Sequence, residues 1–386
     1  MTRRVPYAWL QLSHEKRRLM AAIAGIMFAV ILVFMQLGLR AALFDSSVRF
    51  HRSLDYDLVM LSPRTPFLAQ TKEFPRNRLI QAAGFDGVES VSPLYTALAR
   101  SYYEPTPGVH RKILVIGIDP KDTNIRLPGV NDFLPMLREP DTVIMDHFSR
   151  REFNPIIENF NNKVPVELML NERHVRLIGL YGLGASFGVD GSVITSDLNF
   201  LRIMPSRLAG SIDLGLIRVA DGQNPKAVQS ELKHLLPNDV LVLSRLEYVQ
   251  REVDYWNSST PIGYIFTLGA IIGGIVGLII VYQILYSDVA NHLAEYATLK
   301  AMGYTNGFLS RLVLQEALIL SVLSFIPALG ISMLLYSQAA EATQLPLSMT
   351  TERALAVLIM TILMCSISGL LAIRKLRGID PAEVFA

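Results

Sequence analysis

The chain has 386 residues, of which 51% are hydrophobic and only 18% are charged, and its mean hydropathy is +0.34. A soluble domain of this size carries about 25% charged residues, so part of the chain is expected to lie in a membrane. The net charge of +2 without a basic tract argues against nucleic-acid binding, and the single cysteine, Cys365, excludes an internal disulfide.

Four uncharged windows are long enough for a helix to cross about 30 Å of hydrocarbon, which takes about 20 residues. They lie at Leu19–Leu39, Tyr255–Ser287, Ala317–Ala340 and Ala354–Ile373. With their margins, we predict membrane spans at residues 19–43, 261–286, 311–337 and 353–373, with a short external loop at 338–352. Four spans place both termini on one side of the membrane.

Basic residues near the span ends predict the orientation. Residues 3–18 contain five of them and residues 374–377 contain three, whereas residues 338–352 contain none. Because positively charged flanks stay in the cytoplasm, we predict that both termini and residues 287–310 are cytoplasmic. Residues 44–260 then lie on the opposite side of the membrane.

The N-terminal residues 1–18 suit either an amphipathic helix at the cytoplasmic surface or a charged flank that directs insertion. A signal peptide is another interpretation of residues 1–43. Its apolar core would exceed the usual length of roughly 7–15 residues, and no small-x-small cleavage site follows. We therefore expect an uncleaved anchor.

Residues 44–260 are long enough for a folded domain and read as mixed α/β. Predicted strands lie at 55–61, 88–103, 112–118, 166–170, 175–180, 192–195, 200–203, 213–219 and 239–243. Helices are predicted at 76–83 and 226–236, the latter with Ala227, Leu232, Leu235 and Leu236 on its apolar face. The order strand, helix, strand over 213–243 predicts a βαβ unit, and a helical stalk at 244–260 leads into the second span.

The segment 287–310 is too polar to enter a bilayer, and its helix-forming stretch ends at Gly303. Its place between two spans predicts a cytoplasmic lever. In the second span, Gly269, Gly273 and Gly277 recur at every fourth residue and so share one helix face, which fits either packing within one chain or a dimer interface. In the third span Pro327 is expected to produce a kink, and Glu316 is expected at the membrane interface.

Catalytic and metal-binding motifs are weak. Gly184–Gly188 fits G-x-S-x-G, but the nucleophile elbow needs a strand before it and a helix after it, so a glycine-rich loop is predicted. The seven histidines are scattered, so neither a metal site nor a catalytic residue is predicted. The polar stretch Asp146–Glu152 is expected to be a solvated helix start or a partner-docking loop. No G-x-x-x-x-G-K-[ST] phosphate loop occurs, so ATP and Mg²⁺ are expected on a separate ATPase chain and no cofactor on this one.

Residues 294–303 read AEYATLKAMG and resemble R-E-[IF]-[AG]-x-[LM]-[KR]-A-[LM]-G, the segment between the second and third spans of MacB/FtsX-type (type VII) ABC permeases. Ala294 departs from this pattern, since many members have arginine there. The C-terminal tail is similar to the family's closing D-P-x-E-[AV], with Asp380, Pro381 and Glu383 at the matching positions. The resemblance implies that contact with the ATPase is made by Glu295, Thr298, Leu299, Lys300, Ala301, Met302 and Gly303.

The resemblance also implies a porter-like region at 44–118 and 211–243 and a Sabre-like lobe at 119–210. With MDHFSRREF at 145–153, the chain is similar to the DevC-like permeases that lack a fused ATPase. This implies a homodimer in the bacterial inner membrane with its large domain in the periplasm. The implied partners are a separate ABC ATPase, a membrane-fusion adaptor and a TolC-like outer-membrane channel.

The function that this resemblance implies is export of an amphiphile, such as an envelope glycolipid, by mechanotransmission from the ATPase. Two other functions share the same lever and spans. One is an FtsX-like transmembrane regulator of a cell-wall hydrolase, and the other is a lipoprotein-release permease. A membrane-anchored hydrolase that uses Ser186 is disfavoured by the loop around this serine.

Overall fold

The computed structural model describes residues 16–104, 111–122 and 124–376. Contacts divide the chain into two compact units. The helical unit comprises the chain up to Ala41, Gly263–Ala340 and the chain from Leu347, and the sheet unit comprises Ala42–Ile262 and Glu341–Pro346. Most of the predicted amphipathic segment, and the tail motif at Asp380, Pro381 and Glu383, lie outside the described residues.

The helices and strands are numbered here in chain order. The α-helices are α1 (Lys16–Ser53), α2 (Asn77–Ala83), α3 (Val130–Phe133), α4 (Asn154–Asn161), α5 (Asp197–Ile203), α6 (Pro225–Leu235), α7 (Arg245–Asp254), α8 (Pro261–Asn291), α9 (Leu293–Ala301), α10 (Asn306–Thr343) and α11 (Thr351–Leu376). The strands are β1 (Leu58–Leu61), β2 (Phe74–Pro75), β3 (Val88–Tyr102), β4 (Arg111–Ile118), β5 (Thr142–Asp146), β6 (Glu167–Leu170), β7 (Arg173–Tyr181), β8 (Ser192–Ser196), β9 (Ser211–Ile212), β10 (Leu214–Val219) and β11 (Leu241–Ser244). A π-helix, Tyr255–Ser259, follows α7.

Helices α1, α8, α10 and α11 are long and apolar enough to cross a membrane, each with an 18-residue window of mean hydropathy 2.4 to 2.5. In the chain, most of the α/β sheet unit lies between α1 and α8. This confirms the predicted fold class, four transmembrane helices with a large mixed α/β domain between the first two. The helices extend beyond the predicted spans, and α10 continues to Thr343 with Pro327 inside it.

The interior of the helical unit is mostly apolar. Residues such as Ile26 of α1, Val281 of α8 and Leu320 of α10 are enclosed there. One polar link joins α10 to α1: the Tyr336 hydroxyl donates a hydrogen bond to the main-chain carbonyl of Phe34. Gly38 makes room for the Tyr336 ring, because a Cβ at that position would overlap it.

The sheet unit is built on one nine-stranded sheet, in the order β11-β1-β10-β3-β4-β8-β5-β7-β6. The pairs β4–β8 and β5–β7 are parallel and the others are antiparallel. The end of the long strand β3 also pairs with β6. Six neighbouring strands therefore close into a ring, in the order β3-β4-β8-β5-β7-β6. The predicted boundary between porter-like and Sabre-like regions, after residue 118, falls within this sheet, and that division stays a prediction.

Both faces of the sheet are covered, which is why β1 is buried at all four positions. Successive residues of β1 alternate between two hydrophobic layers. Leu58 and Met60 pack in the layer that contains residues of α2, α5 and α6, and Val59 and Leu61 pack in the layer that contains Phe50 of α1 and Tyr248 of α7. The sheet therefore forms the shared centre of two cores.

Three sequence predictions about this unit were wrong or incomplete. Residues 200–203 are not a strand but part of α5, which starts because the Ser196 hydroxyl accepts a hydrogen bond from the Asn199 N–H. On α6, Val228, Gln229 and Leu232 are buried, whereas Ala227 and Leu235 are exposed. The strands β10 and β11 flank α6 as predicted, but β1 lies between them and pairs antiparallel with both.

Candidate functional site

The predicted lever is a short helix, α9, between α8 and α10. Helix α8 ends at Asn291 and α9 starts at Leu293, so only His292 lies between them. The nine residues Leu293–Ala301 are helical as predicted, and residues 302–305 connect them to α10.

The inner face of α9 packs on the helical unit. Tyr296 and Ala297 are buried, and Leu299 is half-buried against the same cluster. The cluster also contains Val289 of α8, Leu309, Leu312 and Val313 of α10, and Ile373 of α11. Helix α9 therefore contacts residues near the ends of three long helices.

The outer face of α9 is exposed. Glu295, Thr298 and Met302 follow one another at spacings of three and four residues, which places them in one row along the helix. Met302 keeps 64% of its surface exposed, an unusual state for a large apolar side chain. We call these three residues the exposed row of α9.

A hydrogen-bonded cap ends α9. The Gly303 N–H donates to the carbonyl of Lys300 and the Tyr304 N–H donates to the carbonyl of Leu299, at 3.0 and 3.1 Å. This is the Schellman arrangement, and it requires a left-handed residue at the position of Gly303, whose φ is +94°. Gly303 is therefore needed for its backbone conformation.

Charges are distributed on α9 in the order that favours a helix. Glu295 lies in the first turn and Lys300 in the last. Each charge is therefore opposite in sign to the nearer end of the helix dipole, which stabilises the helix. Glu295 Oε1 also lies 3.2 Å from His292 Nδ1. Since Glu295 is largely exposed, this pair contributes little stability and leaves the carboxylate accessible.

The seven residues predicted to contact the ATPase therefore have different surroundings. Glu295, Thr298 and Met302 are exposed, Leu299 and Lys300 are half-buried, and Gly303 forms the cap. For Ala301 the structure describes the helical backbone. Sequence reasoning missed Tyr304, which is 45% exposed and packs its ring 4.6 Å from that of Phe308. An aromatic pair four residues apart was the available signal.

The glycine face of α8 lies against α1 of the same chain. A Cβ at Gly277 would come within 2.9 Å of the Ala29 Cβ, and one at Gly269 within 2.6 Å of the Gln36 side chain. Gly273 is also buried, but a Cβ there would make ordinary contacts with Val33. The glycines thus let α1 and α8 approach closely within one chain, and a role in a dimer stays a prediction.

Glu316 is completely buried within the helical unit. Its place at the membrane interface, rather than within the membrane as a proton carrier, stays a prediction. Its neighbour Ala317 faces the small residue Gly369 of α11. The carboxyl group therefore belongs to the interior of the bundle and not to its surface.

The G-x-S-x-G stretch forms a loop, as predicted. The Ser186 hydroxyl oxygen accepts hydrogen bonds from the N–H groups of Gly188 and Val189, at 3.2 and 3.3 Å, and so closes a turn. Neither a strand directly before it nor a helix directly after it is present. This serine thus stabilises a loop and lacks the setting of a hydrolase nucleophile.

The polar stretch from Asp146 is less solvated than predicted. The Asp146 carboxylate is fully buried and accepts hydrogen bonds from the N–H groups of Leu183, Gly184 and Phe148. Burial raises the pKa of this carboxyl, and the three N–H groups oppose that shift. The helix does start later, after the 3-10 turn Arg151–Phe153. Within the part of the chain that the structure describes, no group of His, Cys, Asp and Glu side chains is arranged to hold a metal ion.

Two protein-family models match the chain. The model of the MacB-like periplasmic core domain matches residues 19–235, and the model of the FtsX-like permease C-terminal region matches residues 265–381. No curated protein matches.

Solved structures show weak similarity. The periplasmic region of MacB from Actinobacillus actinomycetemcomitans is 13% identical with a TM-score of 0.36, covering 52% of this chain and 94% of that one. The extracellular domain of the ABC-type transporter YknZ from Gram-positive bacteria is 14% identical with a TM-score of 0.33, covering 49% of this chain and 99% of that one.

The two matched ranges correspond to different parts of the structure. The MacB-like model alone covers more than half of the chain and includes α1 and most of the sheet unit. The FtsX-like model begins within α8 and includes α9, α10 and α11, so it contains the lever and the last three membrane helices. The chain therefore belongs to the MacB/FtsX-type family of ABC transporter permeases.

Proposed function

We propose that this permease is driven by a separate ABC ATPase that docks on the exposed row of α9, Glu295, Thr298 and Met302. Closure of the ATPase on ATP would push α9, and the membrane helices would carry this motion to the sheet unit. The observation that supports the proposal best is the two-sided build of α9, with one face in the bundle and the other exposed.

Membership of the family supports the location of the protein and the general kind of its partners. ABC permeases of this family are multi-pass proteins of the inner membrane with a periplasmic domain, and they work in general with an ABC ATPase and an adaptor. The permease is generally the non-catalytic component. We extend this to a homodimer with cytoplasmic termini, and with the adaptor joined to a TolC-like outer-membrane channel.

The substrate is proposed to move outside the membrane helices. The interior of the helical unit is mostly apolar, and Glu316 is the one buried carboxylate among its described residues, whereas an aqueous path through a membrane is lined by polar or ionisable groups. This favours mechanotransmission, in which the periplasmic domains of two copies move and drive the substrate outward. We propose an amphiphile, such as an envelope glycolipid, because of the sequence similarity to DevC-like permeases.

The test is Met302→Asp in the complex of the permease with its ATPase, reconstituted in lipid nanodiscs. Burying a methionine contributes about 1.5–3 kcal/mol, and a buried unpaired carboxylate adds a further penalty. We expect ATPase binding to weaken at least about tenfold, since about 1.4 kcal/mol corresponds to a factor of ten. Leu299 is a poorer choice, because its side chain also packs in the bundle.

Leu235→Asp is the matched control, since Leu235 lies in the sheet unit and is 66% exposed, close to the 64% of Met302. It should retain wild-type ATPase binding and ATP hydrolysis. Wild-type binding by the Met302→Asp permease would contradict the proposed docking surface. Co-purification of an adaptor and an outer-membrane channel would support export, whereas a bound cell-wall hydrolase in their place would indicate a regulator.

A further inference from the structure

Two of the helical segments that lead from the membrane helices into the sheet unit are fastened to each other inside that unit. One is the end of α1, residues 42–53, and the other is α7 with the π-helix Tyr255–Ser259. Four buried side chains lie between them and are here called the stalk clasp. They are His51 of α1, Tyr248 and Glu252 of α7, and Trp256 of the π-helix.

Glu252 is the centre of the stalk clasp. Its side chain is only 4% exposed, and both carboxylate oxygens have donors. Oε1 accepts a hydrogen bond from the Trp256 indole N–H at 3.0 Å, and Oε2 accepts one from the Leu68 main-chain N–H at 3.0 Å. A buried carboxylate is costly unless it is satisfied in this way, so its position is closely determined.

His51 brings α1 to the same carboxylate. Its side chain is fully buried, with Nε2 3.4 Å from Glu252 Oε2 and its ring centroid 4.4 Å from that of Tyr248. Because His51 fills the buried space beside this carboxylate, close packing holds the two side chains in place. The clasp thus links two segments about 200 residues apart in the chain.

A hydrogen bond near the stalk clasp also joins α7 to α1. The Arg245 guanidinium of α7 donates to the main-chain carbonyl of Arg52 at 2.6 Å, near the C-terminal end of α1. Carbonyls in the last turn of a helix have no intrahelical donor, and the helix dipole there favours a cation. Beyond the clasp, Phe67 stacks on Tyr255 with ring centroids 4.4 Å apart.

The two segments differ in stiffness. Helix α1 is continuous from Lys16 to Ser53, so it has no break between the membrane and the clasp. The path through α8 is interrupted, because the π-helix ends and Thr260 is extended, with φ −120° and ψ 148°, before α8 begins. π-Helices are rare and occur often at functional sites. A tilt of α8 can be absorbed at this interruption before it reaches α7.

We propose that the stalk clasp makes the two segments one rigid body, so that α7 moves with α1 when ATP binds. His51 and Glu252 are then positioning residues for transport, a role that depends on the proposed function. Without the contact between His51 and Glu252, α7 would be held to α1 more weakly, through the Arg245 hydrogen bond and apolar packing, and joined to α8 through the break at Thr260. Less of the nucleotide-driven motion at the end of α1 would then reach α7.

The experiment measures amide hydrogen exchange of residues 42–53 and 245–259 in the full permease–ATPase complex, without nucleotide and with ATP plus vanadate. In the wild type, we expect the two segments to change protection together on trapping. In His51→Leu without nucleotide, exchange in 245–259 should rise by about tenfold or more, because Glu252 loses a buried partner. On trapping, residues 42–53 should still respond as in the wild type, and the response of residues 245–259 should fall well below the wild-type response.

Two controls separate positioning from general destabilisation. His51→Gln retains an N–H donor at similar reach and should restore the shared response. Val115→Ala removes buried side chain from β4 far along the sheet, and it should lower the melting temperature while leaving the shared response intact.

The outcomes are distinct. A wild-type response of residues 245–259 in His51→Leu would overturn the clasp and leave the proposed function standing. Loss of that response in Val115→Ala as well would also overturn it, because any destabilisation would then suffice. No nucleotide-dependent change in any segment of the wild type would overturn the proposed function, and the clasp's role with it.

Discussion

At the scale of single residues, Gly303 shows how one backbone conformation ends the lever. Its φ of +94° places it in the left-handed region, where residues other than glycine and asparagine are strained. Nothing lies within 4 Å of a Cβ built at this position, so the constraint is conformational and not steric.

This leads to a prediction for Gly303→Ala. The variant should lose about 1–2 kcal/mol at the end of α9, because alanine is disfavoured in the left-handed conformation. ATP hydrolysis stimulated by the permease in nanodiscs should fall as the end of α9 frays. Gly303→Asn is the control, since asparagine tolerates this conformation, and it should retain more of the stimulation than alanine does. Equal activity of the two variants would contradict the cap.

Asp141 carries a second residue-scale prediction. Its carboxylate accepts hydrogen bonds from Arg173, at 2.9 and 2.6 Å, and from Arg202, at 2.9 Å. The hydrogen bonds from Arg173, aided by the charge of Arg202, hold the pKa of Asp141 below its ordinary value. The unfolded chain therefore binds more protons in the range between the folded and unfolded pKa values, and stability falls as the pH drops through it.

We expect Asp141→Asn to be less stable than the wild type at pH 7, and the difference in melting temperature to shrink as the pH is lowered below about 4. Asparagine suits the positive φ of 58° at this position, so the backbone is kept. Thermal unfolding followed by circular dichroism between pH 3 and pH 7 measures the difference. A difference that stays constant over this range would contradict the role of the ionised carboxylate.

Local pattern predicted a helix at the lever but not every burial state. The spacing of Glu295, Thr298 and Met302 on a helix can be read from sequence, since it depends only on helix periodicity. The burial of Asp146 could not be read in this way. Its partners Leu183 and Gly184 lie on a loop 37 and 38 residues away, and only the fold brings them together.

At the scale of elements, the glycine face of α8 gives a prediction with an internal control. In Gly277→Ala, the new Cβ would come within 2.7 Å of Met364 Sδ and 2.9 Å of the Ala29 Cβ. The Met364 side chain can rotate away, but the Ala29 Cβ is fixed to the backbone of α1. The helices must therefore separate, and overpacking of this kind costs about 1–3 kcal/mol.

Gly273→Ala tests the same face without the overlap, because its Cβ would lie 3.7 Å from Val33 and 3.9 Å from Leu32. We expect it to melt near the wild-type temperature in detergent, with Gly277→Ala several degrees lower. If the face packs within one chain, the monomeric protein should show the same order of melting temperatures, with Gly277→Ala the lowest. Loss of a dimer by both variants, with unchanged melting of the chain, would instead indicate an interface between copies.

Elements were predictable where hydrophobic pattern and capping agreed. The long strands β3 and β4 and the helix α6 followed from sequence within one or two residues. Residues 200–203 did not, because a short apolar run fits a strand as well as a helix, and the deciding signal was the cap at Ser196. The π-helix after α7 had no sequence signal, since its hydrogen bonding depends on tertiary packing.

At the scale of the whole molecule, the four membrane helices and the domain between them could be predicted from composition alone, because about 20 apolar residues are a strong signal. The order of strands in the sheet could not. The parallel neighbours β4 and β8 are far apart in the chain, and pairing over such distances leaves no local pattern.

The central claim is that a separate ATPase drives this permease through the exposed row of α9. The most direct measurement is site-specific photo-cross-linking in intact membranes, with the photoreactive residue at position 302 and, as control, at position 235. The account predicts an adduct from position 302 with a polypeptide that binds ATP and carries a phosphate loop, and no such adduct from position 235. Absence of an ATP-binding adduct at 302, or its appearance at 235, would contradict the account.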